Sequence, residues 1–181
     1  MNPTPWKIDA SHSGIHFTVR HMVISKVRGH FSKFEGEVTF DEAAPEKTKV
    51  KVNIDASSIS TNEPKRDDHL RSPDFFDVAK FPALTFESTK TEKKGDRLAV
   101  TGNLSMHGVT REVVLDAELL GVGKDPWGGK RAGFTAKTSL DRKDFGLGWN
   151  QVLEAGGVLV GDKIEIELEV EAIAPAAVKA A

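Results

Sequence analysis

The stretch Lys163-Ile164-Glu165-Ile166-Glu167-Leu168-Glu169-Val170-Glu171-Ala172 decides the fold. Ile164, Ile166, Leu168, Val170 and Ala172 alternate with four glutamates. A helix would scatter those carboxylates around its circumference, whereas a strand sets them all on one face. The segment therefore reads as a strand with one wet face and one face that needs cover.

Working outward, the same period of two recurs along the chain. It appears in Ile15, Phe17 and Val19, then in Phe34, Gly36, Val38 and Phe40. It returns in Val50, Val52, Ile54 and Ala56, and more briefly in Leu84 and Phe86. Leu98 to Met106, Val113 to Leu119 and Phe134 to Leu140 complete about eight strands. Lys94-Gly95-Asp96, His107-Gly108-Val109 and Asp125-Pro126-Trp127-Gly128-Gly129 are the strongest turns between them. With little helix available as cover, a sheet with one apolar face is expected to close on itself. The expected fold is an all-β, eight-stranded antiparallel barrel with one or two short helical segments. Those segments are expected within Thr61–Phe76 and between Trp149 and Ala155. Residues 1–174 read as one domain and 175–181 as a flexible tail.

Composition narrows the function. The 181 residues carry 25 basic and 27 acidic side chains and no cysteine. No basic block suggests nucleic acid. Thiolate metal sites, disulfides and cysteine nucleophiles are excluded. No apolar run is long enough to span a bilayer. The N-terminus lacks a basic start followed by an apolar run, so the chain as it stands is expected in the cytoplasm, or in the periplasm if a signal has been removed.

The inward face admits two readings. Gly36, Ala56, Gly102, Ala117, Ala136 and Ala172 sit among large apolar residues and could leave a hollow suited to a hydrocarbon. Large side chains on facing strands could equally fill that space, since small barrels do both.

Further motifs carry a family resemblance. Trp6-x-Ile8-Asp9, His12-Ser13, Phe17-x-Val19-x-His21-Met22 and Val27-x-Gly29-x-Phe31 open the series. Arg66-Asp67-x-His69-Leu70, Asp74-Phe75-Phe76-Asp77 and Phe81-Pro82 follow. Gly102-x-Leu104-x-Met106-x-Gly108-Val109-Thr110, Asp125-Pro126-Trp127-Gly128-Gly129 and Asp141-Arg142-x-Asp144-Phe145-Gly146 complete it. The ordered set, from about Trp6 to Glu171, resembles the YceI family. The resemblance implies a lipocalin-like barrel that binds a polyisoprenoid or similar amphiphilic lipid in a long internal pocket, which favours the hollow.

On that reading the wall comprises Phe17, Val19, Phe34, Val38, Phe40, Val52, Ile54 and Phe86 from the first half of the chain. Val100, Leu104, Met106, Phe134, Leu140 and Leu168 supply the rest, with Phe75, Phe76, Phe145 and Trp149 as aromatic lids. His21, Arg66 and His69 are the head-group candidates. The bound species is expected to be an isoprenoid lipid or a quinone-like ligand, with no other cofactor, and a homodimer is possible. The bland alternative for Arg66 and Asp67 is an internal pair or a helix cap that stiffens the loop. Arg142 is expected to pair with a carboxylate at the barrel edge. His12, His16, His21 and His30 are spaced irregularly and read as rim histidines rather than a metal site. The competing reading is an isomerase or hydrolase on an apolar substrate, with the histidines as acid or base. Ser13 next to His12 offers little support, because strand neighbours point to opposite faces.

Overall fold

The computed structural model describes residues 4–176. Residues 177–181 of the expected tail lie outside them. Eleven strand segments make one antiparallel sheet. They are β1 (Trp6–Ile8), β2 (Gly14–His21), β3 (Ser25–Phe31), β4 (Phe34–Thr39), β5 (Lys49–Asp55) and β6 (Ile59–Ser60), followed by β7 (Ala83–Lys94), β8 (Arg97–Met106), β9 (Val109–Lys124), β10 (Lys130–Asp141) and β11 (Val160–Ile173). The order around the ring is β1-β4-β5-β7-β8-β9-β10-β11, and β1 pairs back onto β11 to close an eight-stranded barrel.

β2 continues the course of β1 along β11. Ile8 faces Ala172 and Gly14 faces Glu169, an offset of three residues taken up by the 3-10 turn at Ala10–His12. β3 stands to β2 as β4 stands to β1. At that end β3 pairs not with β5 but with the two residues of β6. Among the described residues one α-helix is present, α1 (Pro64–Arg71), which follows and packs on β6.

The expected strand interiors match, but β1 and β3 were not legible as strands, and β7 and β9 run well beyond their alternating cores. Backbone pairing with a neighbour extends a strand through residues whose side chains show no pattern. The second expected helix is absent. Residues 149–158 form an extended loop with an isolated Val152–Val158 bridge. Gly156 and Gly157 take φ of 86° and 88° there, and the Asn150 side chain accepts from Val160 N and donates to Val160 O.

Arg142 holds this loop; it finds its expected carboxylate partner in Asp162, but that is the longest of its contacts. The side chain is buried, at 2 % exposure, and its main partners are carbonyls rather than a carboxylate. It donates to Gly161 O (2.9 Å), Leu147 O (2.5 Å), Trp149 O (2.9 Å) and Val160 O (3.3 Å), with Asp162 at 3.5 Å. Burial pushes the guanidinium below its ordinary value, and Asp162 and Asp141 oppose that. It stays charged nonetheless, because arginine starts above 12.

A second arginine clamps the seam. Arg131 on β10 donates to Asp9 Oδ2 (2.9 Å), to Asp125 Oδ2 (3.1 Å) and to Glu171 Oε1. The Asp9 carboxyl is held far below the usual carboxylate range, first by the Ser11 hydroxyl, then by His12 and by Arg131. Asp125 is lowered by the Gly129 amide and then by Arg131.

Two predictions follow from these arginines. Arg142→Met strands the buried Leu147 carbonyl, at a cost of about 1–3 kcal/mol, and removes the ties to Trp149, Val160 and Gly161, so the melting temperature should drop sharply, and an unchanged melt would refute the staple. Asp9 and Asp125 have depressed folded pKa values. Their contribution is complete above the unfolded value of about 3.9 and is lost as pH falls towards the folded values. The melting temperature should be flat from about pH 7 to 5 and fall below about pH 4. Asp9→Asn should lower the neutral melt and flatten that acid limb; an acid limb identical to wild type would count against the clamp.

Candidate functional site

The barrel contains a hollow of about 240 Å³, and the surface facing it is apolar. An engineered cavity of roughly 150 Å³ admits benzene. On that scale the space holds about ten carbon atoms.

Most of the expected wall reaches the hollow. Phe17 and Val19 do so from β2, Phe34 and Val38 from β4, and Val52 and Ile54 from β5. Phe86, Val100, Leu104, Met106, Phe134, Leu140 and Leu168 line it from the longer strands, and Phe75 and Phe76 from the segment after α1. Three expected residues do not reach it. Phe40 packs edge-on against Phe134 and Trp6, with ring centroids 5.3 and 6.0 Å apart. Phe145 is 1 % exposed, turned into the core by the 3-10 turn at Arg142–Phe145, and its carbonyl meets His107 Nδ1 at 3.0 Å. Trp149 lies outside the wall, against His69 and Phe75.

The small inward residues divide into two kinds. Gly102 is not free space. A Cβ there would stand 2.4 Å from Phe86 Cζ and 2.7 Å from Glu87 O. Gly29 likewise accepts the Phe17 ring, with Phe17 Cζ at 2.3 Å from the position a Cβ would take. These glycines seat aromatic rings. Gly36 is also packed, against Lys51 O and Ile8, while Ala56 and Ala172 are wholly buried in the core. Only Ala117 and Ala136 of that set line the hollow, facing each other across β9 and β10.

The polar candidates are dispersed. Arg66 is exposed and donates to Thr61 Oγ1 (2.7 Å) and Thr61 O (3.0 Å). Its neighbour Asp67 is buried and accepts from Thr61 N (2.8 Å) and Thr61 Oγ1 (2.5 Å), while Glu63 caps α1 through Arg66 N. Arg66 and Asp67 thus meet through Thr61 and stiffen the loop. His69 Nε2 meets Asp74 Oδ2 at 2.8 Å, and its ring packs edge-on against Phe75 and Trp149 at 5.1 and 4.6 Å. Since Phe75 lines the hollow, His69 stands one residue behind the wall. His21 ends β2 opposite Ser25 and Val160.

The histidines are not gathered into one centre. His16 pairs across the strands with His30, and His12 faces Asp9 and Glu171. Asp9, His12 and Glu171 bring three potential ligand atoms within 4.8 Å, but the Arg131 guanidinium already supplies the cation there. Ser13 Oγ accepts from Glu171 N at 2.9 Å, and His12 Nδ1 is turned to Asp9, so the two make no nucleophile and base.

Sequence reasoning missed part of the wall. Ile59 and Leu70 line it through β6 and α1, elements with no alternating signal. Thr48 also lines it, just before β5, and its buried Oγ1 has no hydrogen-bond partner among the described residues.

Comparison with known proteins places this architecture. The YceI-like domain model matches residues 6–172. Protein YceI of Salmonella newport (strain SL254) is 49% identical over 144 residues, covering 78% of this chain and 75% of that protein. The crystal structure of Burkholderia cenocepacia BcnA superposes with a TM-score of 0.80 at 22% identity, covering 91% of this chain and 98% of that one. A polyisoprenoid binding domain from Saccharophagus degradans, implicated in plant cell wall breakdown, superposes at 0.68 with 15% identity over 94% and 98% of the two chains. No helix among the described residues is long and apolar enough to cross a membrane. With a matching domain model along nearly its whole length and the closed barrel to go with it, the chain belongs to the YceI family.

Proposed function

We propose that the protein binds a long apolar chain of isoprenoid type inside its barrel and sequesters or carries it. The observation that carries this reading is the hollow at the centre of a closed sheet, whose exposed surface is apolar. Open space in a core forfeits packing contacts, so an apolar cavity of this size favours an apolar guest. The polyisoprenoid-binding neighbour supports the same ligand class.

Magnitudes favour a long chain over a short one. Burying each methylene gains about 0.8 kcal/mol, so a ten-carbon segment gains about 8 kcal/mol. Association costs about 4–15 kcal/mol, which a segment of that length barely offsets. Tight binding therefore calls for more carbons, accommodated by rotation of the phenylalanines on the wall. His69 packs on the wall residue Phe75 and is kept in this reading as the head-group candidate, although its Nε2 already meets Asp74. Arg66 is committed to Thr61, which leaves it a structural role. Binding without turnover is the reading that fits the scattered titratable groups.

The test is native mass spectrometry of protein purified without detergent and incubated with isoprenoid alcohols of increasing length. A discrete added mass is expected, with occupancy rising with chain length. Ala136→Leu should cut occupancy by at least about tenfold with an intact melt, because it fills part of the hollow in front of the paired Ala117 and Ala136. Gly102→Ala should do the opposite. It should destabilise the fold by about 1–3 kcal/mol through its clash with Phe86 and Glu87 O. Full occupancy in a folded Ala136→Leu variant would rule out the hollow as the site.

A further inference from the structure

The β2–β3 hairpin breaks two local rules at its tip. Its three-residue loop is Met22-Val23-Ile24, in which Met22 and Val23 take φ of 51° and 66°. Two successive positive φ values mark a turn that Asn-Gly fills without strain and that a β-branched residue resists. One rung below the His21–Ser25 pair, Arg20 and Lys26 stand directly opposite each other. Like charges in that position repel. Arg28 follows on the same face, opposite Thr18. Among the described residues Arg20, Lys26 and Arg28 make no salt bridge; on the adjoining β11, Asp162 is engaged by Lys143 and Arg142, and Glu165 lies 3.9 Å from Lys163.

What the tip presents is apolar. Met22 is exposed, Val23 is 63% exposed and Ile24 is 84% exposed. The neighbouring loop adds Val152 at 79% and Val158 at 39%. The two loops abut, since Met22 N donates to Leu159 O at 2.8 Å and a Cβ on Gly157 would lie 3.6 Å from Val23 Cγ2. Single exposed apolar residues need no account, but a joined cluster on a strained turn does. The cluster also sits at the rim of the hollow, because Val19 and Val160 both line it.

We propose that the Met22–Ile24 tip, with Val152 and Val158, inserts into the surface of an anionic lipid bilayer, where Arg20, Lys26 and Arg28 meet the phosphates. Apolar residues at a leading edge with cations just behind them match the layering of a bilayer surface, hydrocarbon first and anionic head groups outside it. The unrelieved cross-strand repulsion is what an anionic surface relieves. A turn tip is convex, so it offers a partner protein no flat patch to bury. Docking this rim sets the hollow against the membrane from which a lipid would enter. That purpose rests on the lipid-binding reading, whereas the surface chemistry does not.

Cosedimentation of the full chain with phospholipid vesicles tests the proposal. The protein should partition onto vesicles of equimolar phosphatidylglycerol and phosphatidylcholine. Binding to phosphatidylcholine alone, or in high salt, should be weaker by roughly tenfold or more. Replacing Met22 and Val23 together (M22N/V23G) installs the residues the turn prefers. This variant should melt no lower than wild type yet lose vesicle binding by about tenfold or more. Ile24→Ser leaves the turn untouched and should also weaken binding, while Lys26→Glu should remove the preference for anionic vesicles. Wild type that ignores both vesicles overturns the proposal. So does an M22N/V23G variant that binds as before, or a tip found buried in a dimer that this variant converts to monomer by light scattering. Vesicle binding by a barrel that never acquires an isoprenoid upholds the docking surface and defeats the lipid-binding reading; a lipid-loaded barrel that ignores vesicles does the reverse.

Discussion

A sheet with one apolar face and two open edges exposes both its greasy side and a row of unpaired backbone groups. Here both problems are resolved by three residues. Trp6 to Ile8 slot between β4 and β11, and the ring is complete only because they pair on both sides. Ile8 comes close enough because Ala172 and Ala132 beside it are small and fully buried. Arg131 then ties β10, β11 and the segment after β1 together across three carboxylates. The closure of the apolar interior rests on that seam. An open edge would admit water to the hollow and remove the driving force for holding a hydrocarbon.

Inside the ring, packing is uneven in an informative way. Phe17 and Phe86 lie over Gly29 and Gly102, so two bulky rings are folded flat against the wall. That arrangement fills space at the glycines and leaves it elsewhere, between Ala117, Ala136 and the aliphatic side chains opposite. Three clusters of buried residues surround the hollow. The wall and the core are the same set of side chains, so anything that binds inside must be accommodated by side chains that also hold the fold together.

Rigidity and exposure are divided between the two sides of the rim. Asp67 and Arg142, both buried, fasten the α1 segment and the 147–161 loop through backbone groups. Next to them the β2–β3 tip projects apolar side chains from a strained turn. The lipid-binding role proposed above would use both features, a mouth that keeps its shape and an edge that tolerates lipid.

Much of the barrel was legible in the sequence, because a strand that buries one face writes that fact as alternation. Ile164 to Ala172 shows it plainly, and the other inward stripes repeat it. Most wall residues were legible for the same reason. Phe40, Phe145 and Trp149 were not, because an aromatic residue reads the same whether it lines a hollow, plugs the core or stacks outside. The role of Gly102 was equally hidden, since a glycine signals missing volume but not which neighbour takes it up. The short strand β1, the stapling by Arg142 and the meeting of Arg66 with Asp67 through Thr61 depend on residues far apart in sequence or on backbone atoms that carry no residue identity. The chain's own periodicity determined that there would be a closed sheet with an apolar interior. Only the tertiary structure decided where that interior stays empty, because emptiness is fixed by which side chains meet across the barrel.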